Sequence, residues 1–503
     1  MKPFKPPLRR TQASHPQSIA RWIRALLAGA LVAGCHDVRP TAPQQEPPLT
    51  PPVAVTVAAE NARPGTSEWL SANTHWANAS DLAVWGSPYA ANSTDTLSLF
   101  VHSRQGAVDV SVFRLGWYSG QGGRLVWRAK SVMAGPQPAC SAPGSAPVQC
   151  PWTETVRIPL TAGWTPGIYV ARTANASSMV AYYAFVVHGT AAAKVTVVIP
   201  QFTWQAYNSY GGSSFYTRDS TGTLYHSVSF DRPYVRGGGS SNLLRNEEGF
   251  ELKVARWLER IGIDVAYISD VDLAMQRPLP AGTKVLIFAG HDEYWTWDEF
   301  SYVQSLRDAG THLMFLAANA AYWNVRLGQG SRAGDPTVIV CYKSSTDPEA
   351  TSITATTTRF RDSPLRRPEA ALYGISYFEV ADTGRLPLFV SDTAMGTDAA
   401  AFLSAAGIFP GDSISGFVGG EGDRPTTAGS PANLQVLFRS PDRTTAPLTN
   451  HYYYTTFFVA PSGAGVFAAG NNYFARGLDD LFDLGDSRVQ RLTLTVLQWM
   501  LAR

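Results

Sequence analysis

The stretch from Lys284 to Ala317, "KVLIFAGHDEYWTWDEFSYVQSLRDAGTHLMFLA", decides how this chain is read. It begins with "KVLIFAG" and ends with "THLMFLA", two apolar runs of the length of buried strands. Between them, "WDEFSYVQSLRDAG" has the length of a helix. Thr296 followed by Glu299 matches a capping box, in which a hydroxyl and a carboxylate satisfy the free N–H groups of a helix start. Strand, helix and strand in this order imply a parallel sheet covered on both faces. The cap accounts for Asp298 and Glu299. His291, Asp292 and Glu293 come before it, where the strand ends, and in open parallel sheets ligands bind outside the carboxyl ends of the strands.

The same alternation extends outward. "KVTVVIP" reads as a strand, "NEEGFELKVARWLERIG" puts Phe250, Val254, Trp257, Leu258 and Ile261 on one helical face, and "IDVAYIS" is the next strand. Toward the C-terminus "AGVFAAG" repeats the strand signature and "DSRVQRLTLTVLQWML" reads as an amphipathic closing helix. The α/β domain is therefore expected over 191–503, with an irregular, β-leaning insertion around 335–460 whose topology stays open. Before it, over 61–190, short alternating runs such as "TLSLFVHS", "VDVSVFRLGWY", "ETVRIPL" and "GIYVARTA" lie between Gly, Pro, Ser and Asn clusters. That spacing predicts an antiparallel β-sandwich.

The N-terminus reads as an address. Lys2, Lys5, Arg9, Arg10, Arg21 and Arg24 precede an apolar run from Ala25 to Gly34, too short to span a bilayer and suited to a signal-peptide core. The run ends in "LVAGC", which resembles the bacterial lipobox with Cys35 as the lipidation site, so residues 1–35 are expected to be a lipoprotein signal peptide. The Pro-rich stretch 36–60 reads as an extended linker. An exported lipoprotein anchored to a membrane meets oxidising conditions, in which disulfides persist. Cys140 and Cys150 flank a loop rich in Pro and Gly and are expected to pair, leaving Cys341 as a buried, inert thiol. A formal net charge of +2 and scattered basic residues argue against nucleic acid as a partner.

Three strand ends converge on chemistry. One carries His291 and Glu293, the next carries Asn319, and the first strand of the domain leads into "FTWQAYNSYGG" with Tyr207 and Tyr210. No nucleophile elbow of the G-x-S-x-G kind is evident. Hydrolysis at such a site requires a metal to acidify water or polarise a carbonyl.

The motifs "FRLGWYSGQGGR", "FTWQAYNSYGG", "SFDRPY", "GHDEYWT", "NAAYWNVR", "VCYK", "RPE" and "GLDD", in this order, resemble the large (beta) subunit of N,N-dimethylformamidase and the proteins sharing its C-terminal region. The resemblance runs from about residue 110 to the C-terminus. It implies an immunoglobulin-like β-sandwich followed by a glutamine-amidotransferase-like, flavodoxin-like α/β domain. It also implies an amidohydrolase whose mononuclear ferric iron (Fe3+) is held by two tyrosine phenolates and one glutamate, a hard anionic donor set suited to that ion. On the resemblance, Glu293 and Tyr207 would be ligands, with Tyr234, or else Tyr225, as the second phenolate. His291 would carry the proton and Asn319 would orient the substrate.

The expected function is a membrane-tethered, metal-dependent amidohydrolase acting on a small amide or related C–N bond. The alternative is a non-catalytic cell-surface lipoprotein binding glycans or peptides, with Trp204, Tyr207, Tyr210, Tyr294, Trp295 and Trp323 as stacking surfaces. Glycoside hydrolysis would need a second acid opposite Glu293, for which Glu369 and Asp479 are candidates. The small amide and the membrane are the expected partners; whether the chain self-associates, and whether it works with a small partner subunit, stays open.

Overall fold

The computed structural model describes residues 56–503 except 72–74, 145, 190–191, 236–248, 331–333, 381–384, 393–394, 442–450 and 482–484. The expected signal peptide and Cys35 lie outside the described residues. Among the described residues no helix is long and apolar enough to cross a membrane.

Two sheets make up the N-terminal part. Leu82–Ser87, Thr96–Ser103 and Val156–Pro159 form one of three antiparallel strands. The other has five strands, in the order Ala90–Ala91, Val180–Val187, Gly167–Ala174, Val108–Leu115, Gly123–Val132. Alternation along the strands fills the space between the sheets: Leu97, Leu99 and Val101 from the first meet Val110, Val112, Tyr169, Ala171, Phe185 and Val187 from the second. Cys140 and Cys150 are joined in a disulfide.

The opposite face of the five-stranded sheet is buried as well. Phe113, Leu115, Ile168, Val170 and Val186 belong to one cluster with Val254, Leu258 and Tyr267 of the α/β part. Through this contact Arg114 reaches Glu259 at 2.6 Å, with both side chains fully buried. Glu259 also accepts hydrogen bonds from Asn61 and Tyr267, each at 2.8 Å. The linker expected through residue 60 ends a turn earlier, because Val57–Asn61 is a short helix capped by Thr56. Its Glu60 is buried and accepts from Tyr118 at 2.8 Å and Thr165 at 3.1 Å, partners that an extended tether would not have.

The central sheet has seven strands, in the order Val265–Ser269, Val195–Ile199, Val285–Phe288, His312–Phe315, Gly465–Ala468, Tyr452–Val459, Gln435–Pro441. The first five run parallel and the last two antiparallel. Along Val285–Phe288, Val285 and Ile287 face the helices Phe250–Arg260 and Ser487–Leu501, whereas Leu286 and Phe288 face the helix Trp297–Asp308. Both faces are covered, as the near-continuous apolar runs require. The capping box forms: Glu299 N–H donates to Thr296 Oγ1 at 3.0 Å, and Thr296 N–H to Glu299 Oε2 at 3.3 Å. The two antiparallel strands come from the region 335–460, which also supplies the paired strands Ser376–Val380 and Glu421–Arg424.

The strand Val195–Ile199 has Val265–Ser269 on one side and Val285–Phe288 on the other. The connection from it to Val265–Ser269 and the connection from Val285–Phe288 to His312–Phe315 run in opposite directions along the sheet, the arrangement that opens a crevice beyond the strand ends. A small sheet stands over that crevice, in the order Ser227–Ser229, Val338–Val340, Trp323–Gly328, Tyr294–Thr296. Its parallel pairing of Tyr294 with Trp323 brings two strand-end loops side by side.

Candidate active site

Directly after Val195–Ile199 comes the helix Gln201–Tyr207, which ends at Tyr207. Gly211 and Gly212, at φ 72° and 85°, then turn the chain back on itself. The turn stacks Tyr216 on Tyr207 with ring centroids 4.4 Å apart. Arg232 buckles this loop from inside, donating to the carbonyls of Asn208 (2.9 Å), Tyr210 (2.9 Å) and Ser213 (2.7 Å). The "SFDRPY" motif thus holds the loop in place.

Glu293 is fixed by its backbone: its N–H donates to Thr203 Oγ1 at 3.0 Å, and its carbonyl accepts from Tyr322 (2.9 Å) and Trp323 (3.0 Å). Two phenols converge on its carboxylate. Tyr207 donates to Oε2 at 2.8 Å, and the Tyr216 hydroxyl lies 2.9 Å from Oε1 and 2.8 Å from Oε2. The phenol oxygens are 2.9 Å apart. Trp323 Nε1 donates to Oε1 at 3.0 Å, and Tyr294 donates to the Tyr216 oxygen at 2.8 Å. The Lys343 ammonium lies 3.8 Å above the Tyr216 ring.

Beside this group, His291 Nε2 forms an ion pair with Glu421 Oε2 at 2.6 Å and lies 3.7 Å from Glu293 Oε2. Asn319, in the left-handed region at φ 55°, donates from Nδ2 to the same Glu421 oxygen at 2.8 Å and from its backbone to Asp423 Oδ1 at 2.9 Å. Burial alone would lower the His291 pKa, but Glu421 and Glu293 lift it to about 9. Burial works against ionisation of Glu421, yet His291 and Asn319 hold it below its usual range. Burial and then Glu421 push Glu293 up. Burial, followed by the Glu293 charge, raises the Tyr207 phenol as well, a balance that a cation between these oxygens would invert.

His291, Glu293, Asn319 and Tyr207, named from the sequence, therefore stand together. Other sequence candidates are placed elsewhere. Tyr234 lies beside Gln205 and Arg232, along a separate cleft with Trp76 and Tyr182, and the second phenol at the Glu293 carboxylate is Tyr216. Tyr225 is near Asp219 and His226, and Tyr210 packs against the sandwich core. Trp295 is buried beneath the sheet. Glu369 pairs with Arg361 and Asp479 with Arg256, so neither faces Glu293 as a second acid. Cys341 is buried, and its thiol is pushed up to about 12, too high for a nucleophile.

Among the described residues no group of three or more His, Cys, Asp or Glu side chains is arranged to hold a metal ion. A metal here would depend on phenol oxygens. Tyr207, Tyr216 and Glu293 could supply a compact, all-oxygen donor set, which fits a hard cation.

The family described as N,N-dimethylformamidase beta subunit-like, C-terminal, matches residues 109–488. The chain belongs to this family. The match to the N,N-dimethylformamidase-like family begins in the sandwich strand Val108–Leu115 and ends in the closing helix, so every site residue falls inside it. At the level of the family, membership supports a hydrolase acting on amides. No curated protein matches the sequence. Among solved structures the mmIFT52 N-terminal domain is similar over 48% of this chain and 86% of that chain, at 12% identity and a TM-score of 0.26, a likeness too slight to bear on function.

Proposed function

We propose that this chain hydrolyses a small amide or related C–N bond at the crevice beyond the Val195–Ile199 and Val285–Phe288 strand ends. The reading takes the two-sheet part as immunoglobulin-like and the seven-stranded part as glutamine-amidotransferase-like. One observation carries it: two phenols meet the Glu293 carboxylate within 2.9 Å, and a His291–Glu421 pair stands beside them. Tyr207, Tyr216 and Glu293 would hold a ferric ion, which when bound supplies polarisation of the amide carbonyl and acidification of water.

The remaining work falls to the chain's own residues. His291, held protonated by Glu421 and Glu293, gives its proton to the departing amine nitrogen and regains one from the water that adds to the carbonyl, while Glu421 fixes the imidazole ring from the far side. Asn319, tied to both Glu421 and Asp423, holds the substrate against that pair. Lys343 and the Tyr216 ring cover one side of the carboxylate. Membrane attachment through Cys35 belongs to the same proposal, with Cys35→Ser expected to move the protein to the soluble fraction.

Metal content and the visible spectrum of purified protein, measured with amine release from N,N-dimethylformamide, test the proposal. Stoichiometric iron, a phenolate-to-iron absorption band and turnover are expected. Colourless, metal-free protein without turnover would return the surface-binding reading to first place.

A further inference from the structure

A cavity of about 220 Å³ opens beside Tyr207, His291 and Glu421, and its opposite side is formed by Trp204, Phe250, Glu251 and Tyr473. The aromatic walls are unremarkable for a pocket that admits a small organic molecule. Glu251 is different, because it is a carboxyl only 3% exposed with no ion pair among the described residues. Its Oε1 accepts from Trp204 Nε1 at 3.1 Å, and its Oε2 has no hydrogen-bond partner among the described residues. Burying an unpartnered polar oxygen costs free energy unless something bound supplies the partner.

Glu251 stands in the first turn of the helix Phe250–Arg260, where a carboxylate is ordinarily a solvated acid facing the helix dipole. Here it points inward and is accommodated by a missing side chain: a Cβ added at Gly290 would lie 2.4 Å from Glu251 Oε1. The glycine preceding His291 is thus needed for Glu251 to approach the site. Burial raises the Glu251 pKa, with the Trp204 contact and the His291 charge acting in the opposite sense. Trp204 occupies Oε1, so Oε2 is the oxygen left free to bind.

We propose that Glu251 is the specificity-determining residue of this site: its free oxygen hydrogen-bonds a hydroxyl on the substrate's substituent, so the preferred substrate is a small amide carrying a hydroxyl function, not a plain dialkyl amide. The inference rests on the amide-hydrolase reading, with the substituent lying in the cavity and the scissile bond at His291. A site built around a hydrogen bond rejects the analogue lacking it far more strongly than an apolar pocket rejects a missing methylene.

The test compares N,N-dimethylformamide with N-(2-hydroxyethyl)-N-methylformamide, on the full-length protein as purified and on Glu251→Leu and Glu251→Gln. Amine release gives kcat/KM, calorimetry gives affinity for the same two amides, and thermal melting verifies folding. In the parent the hydroxyl-bearing amide should be preferred by roughly tenfold to a hundredfold, mostly in KM. Glu251→Leu should remove that preference, and Glu251→Gln, which keeps a hydrogen-bonding group in place, should retain much of it. If both amides are hydrolysed with the same ratio in the parent and in Glu251→Leu, the inference is overturned while the hydrolase reading stands. If neither is hydrolysed, that reading falls and calorimetry decides the inference alone: hydroxyl-dependent binding lost in Glu251→Leu upholds it, and equal binding sinks it.

Discussion

Tyr216→Phe separates the donor set read here from any that lacks this residue. The substitution keeps the ring, so the stacking on Tyr207 at 4.4 Å and the contact with Lys343 at 3.8 Å survive, and only the hydroxyl is removed. That hydroxyl lies within 2.9 Å of both Glu293 oxygens and of Tyr207, and it accepts from Tyr294 at 2.8 Å. Without metal, one hydrogen bond to a carboxylate is lost, a term of about 1.5 to 3 kcal/mol. Tyr294 keeps a buried donor with no acceptor, adding about 1 kcal/mol or more. Tyr216 is 44% exposed, and water entering at its ring edge repays part of this. A net destabilisation of about 1 to 3 kcal/mol in metal-free protein follows. Denaturant titration after chelation measures it. In metal-loaded protein the same variant should lose most of its metal and its visible band, because one of only two phenolates is gone. If Tyr216→Phe keeps the parent's metal content and spectrum while Tyr234→Phe loses both, the donor set is wrong.

Glu293→Ala should abolish metal binding and turnover together, whereas His291→Ala should keep the metal and lose turnover by about 10²- to 10⁴-fold; metal analysis beside kinetics separates the two. Asp423 is raised from 3.8 to about 7, chiefly by burial, so the folded state favours its protonated form. A raised carboxyl contributes stability below its unfolded value that is lost as pH climbs through the folded one, here between 3.8 and about 7. Asp423→Asn should flatten that decline, seen as a denaturation midpoint changing less than the parent's between about pH 5 and about pH 8. Replacing both Cys140 and Cys150 by Ser should cost about 2 to 3 kcal/mol, the loop-closure value for a cross-link spanning ten residues, and chemical denaturation reads it directly.

Much of the scaffold was legible in the sequence because its signals are local. Apolar runs gave Val195–Ile199, Val285–Phe288 and His312–Phe315, and the Thr296–Glu299 spacing marked a helix start that forms as expected. His291, Glu293 and Asn319 followed from a rule about strand ends. Tyr216 and Glu421 did not, for different reasons. Tyr216 lies in "GGSSFYTRD", where left-handed glycines set the path of the chain, and no periodicity reports where such a turn ends. Glu421 opens a four-residue strand, "EGDR", which reads as a turn. It becomes a strand by pairing with Ser376–Val380, and only this long-range pairing brings it to His291. Lys343 was visible within "VCYK" but had no role until the Tyr216 ring was placed beneath it.

The buried clamp of Arg114, Glu259 and Asn61 bears on how the protein is handled in its surroundings. Among the described residues, the contacts that brace the crevice from the sandwich side begin with the helix Val57–Asn61. A protease cutting ahead of that helix would remove none of the partners named above. On the proposal of a lipid anchor at Cys35, such a cut would release the site from the surface with all of those partners still in place.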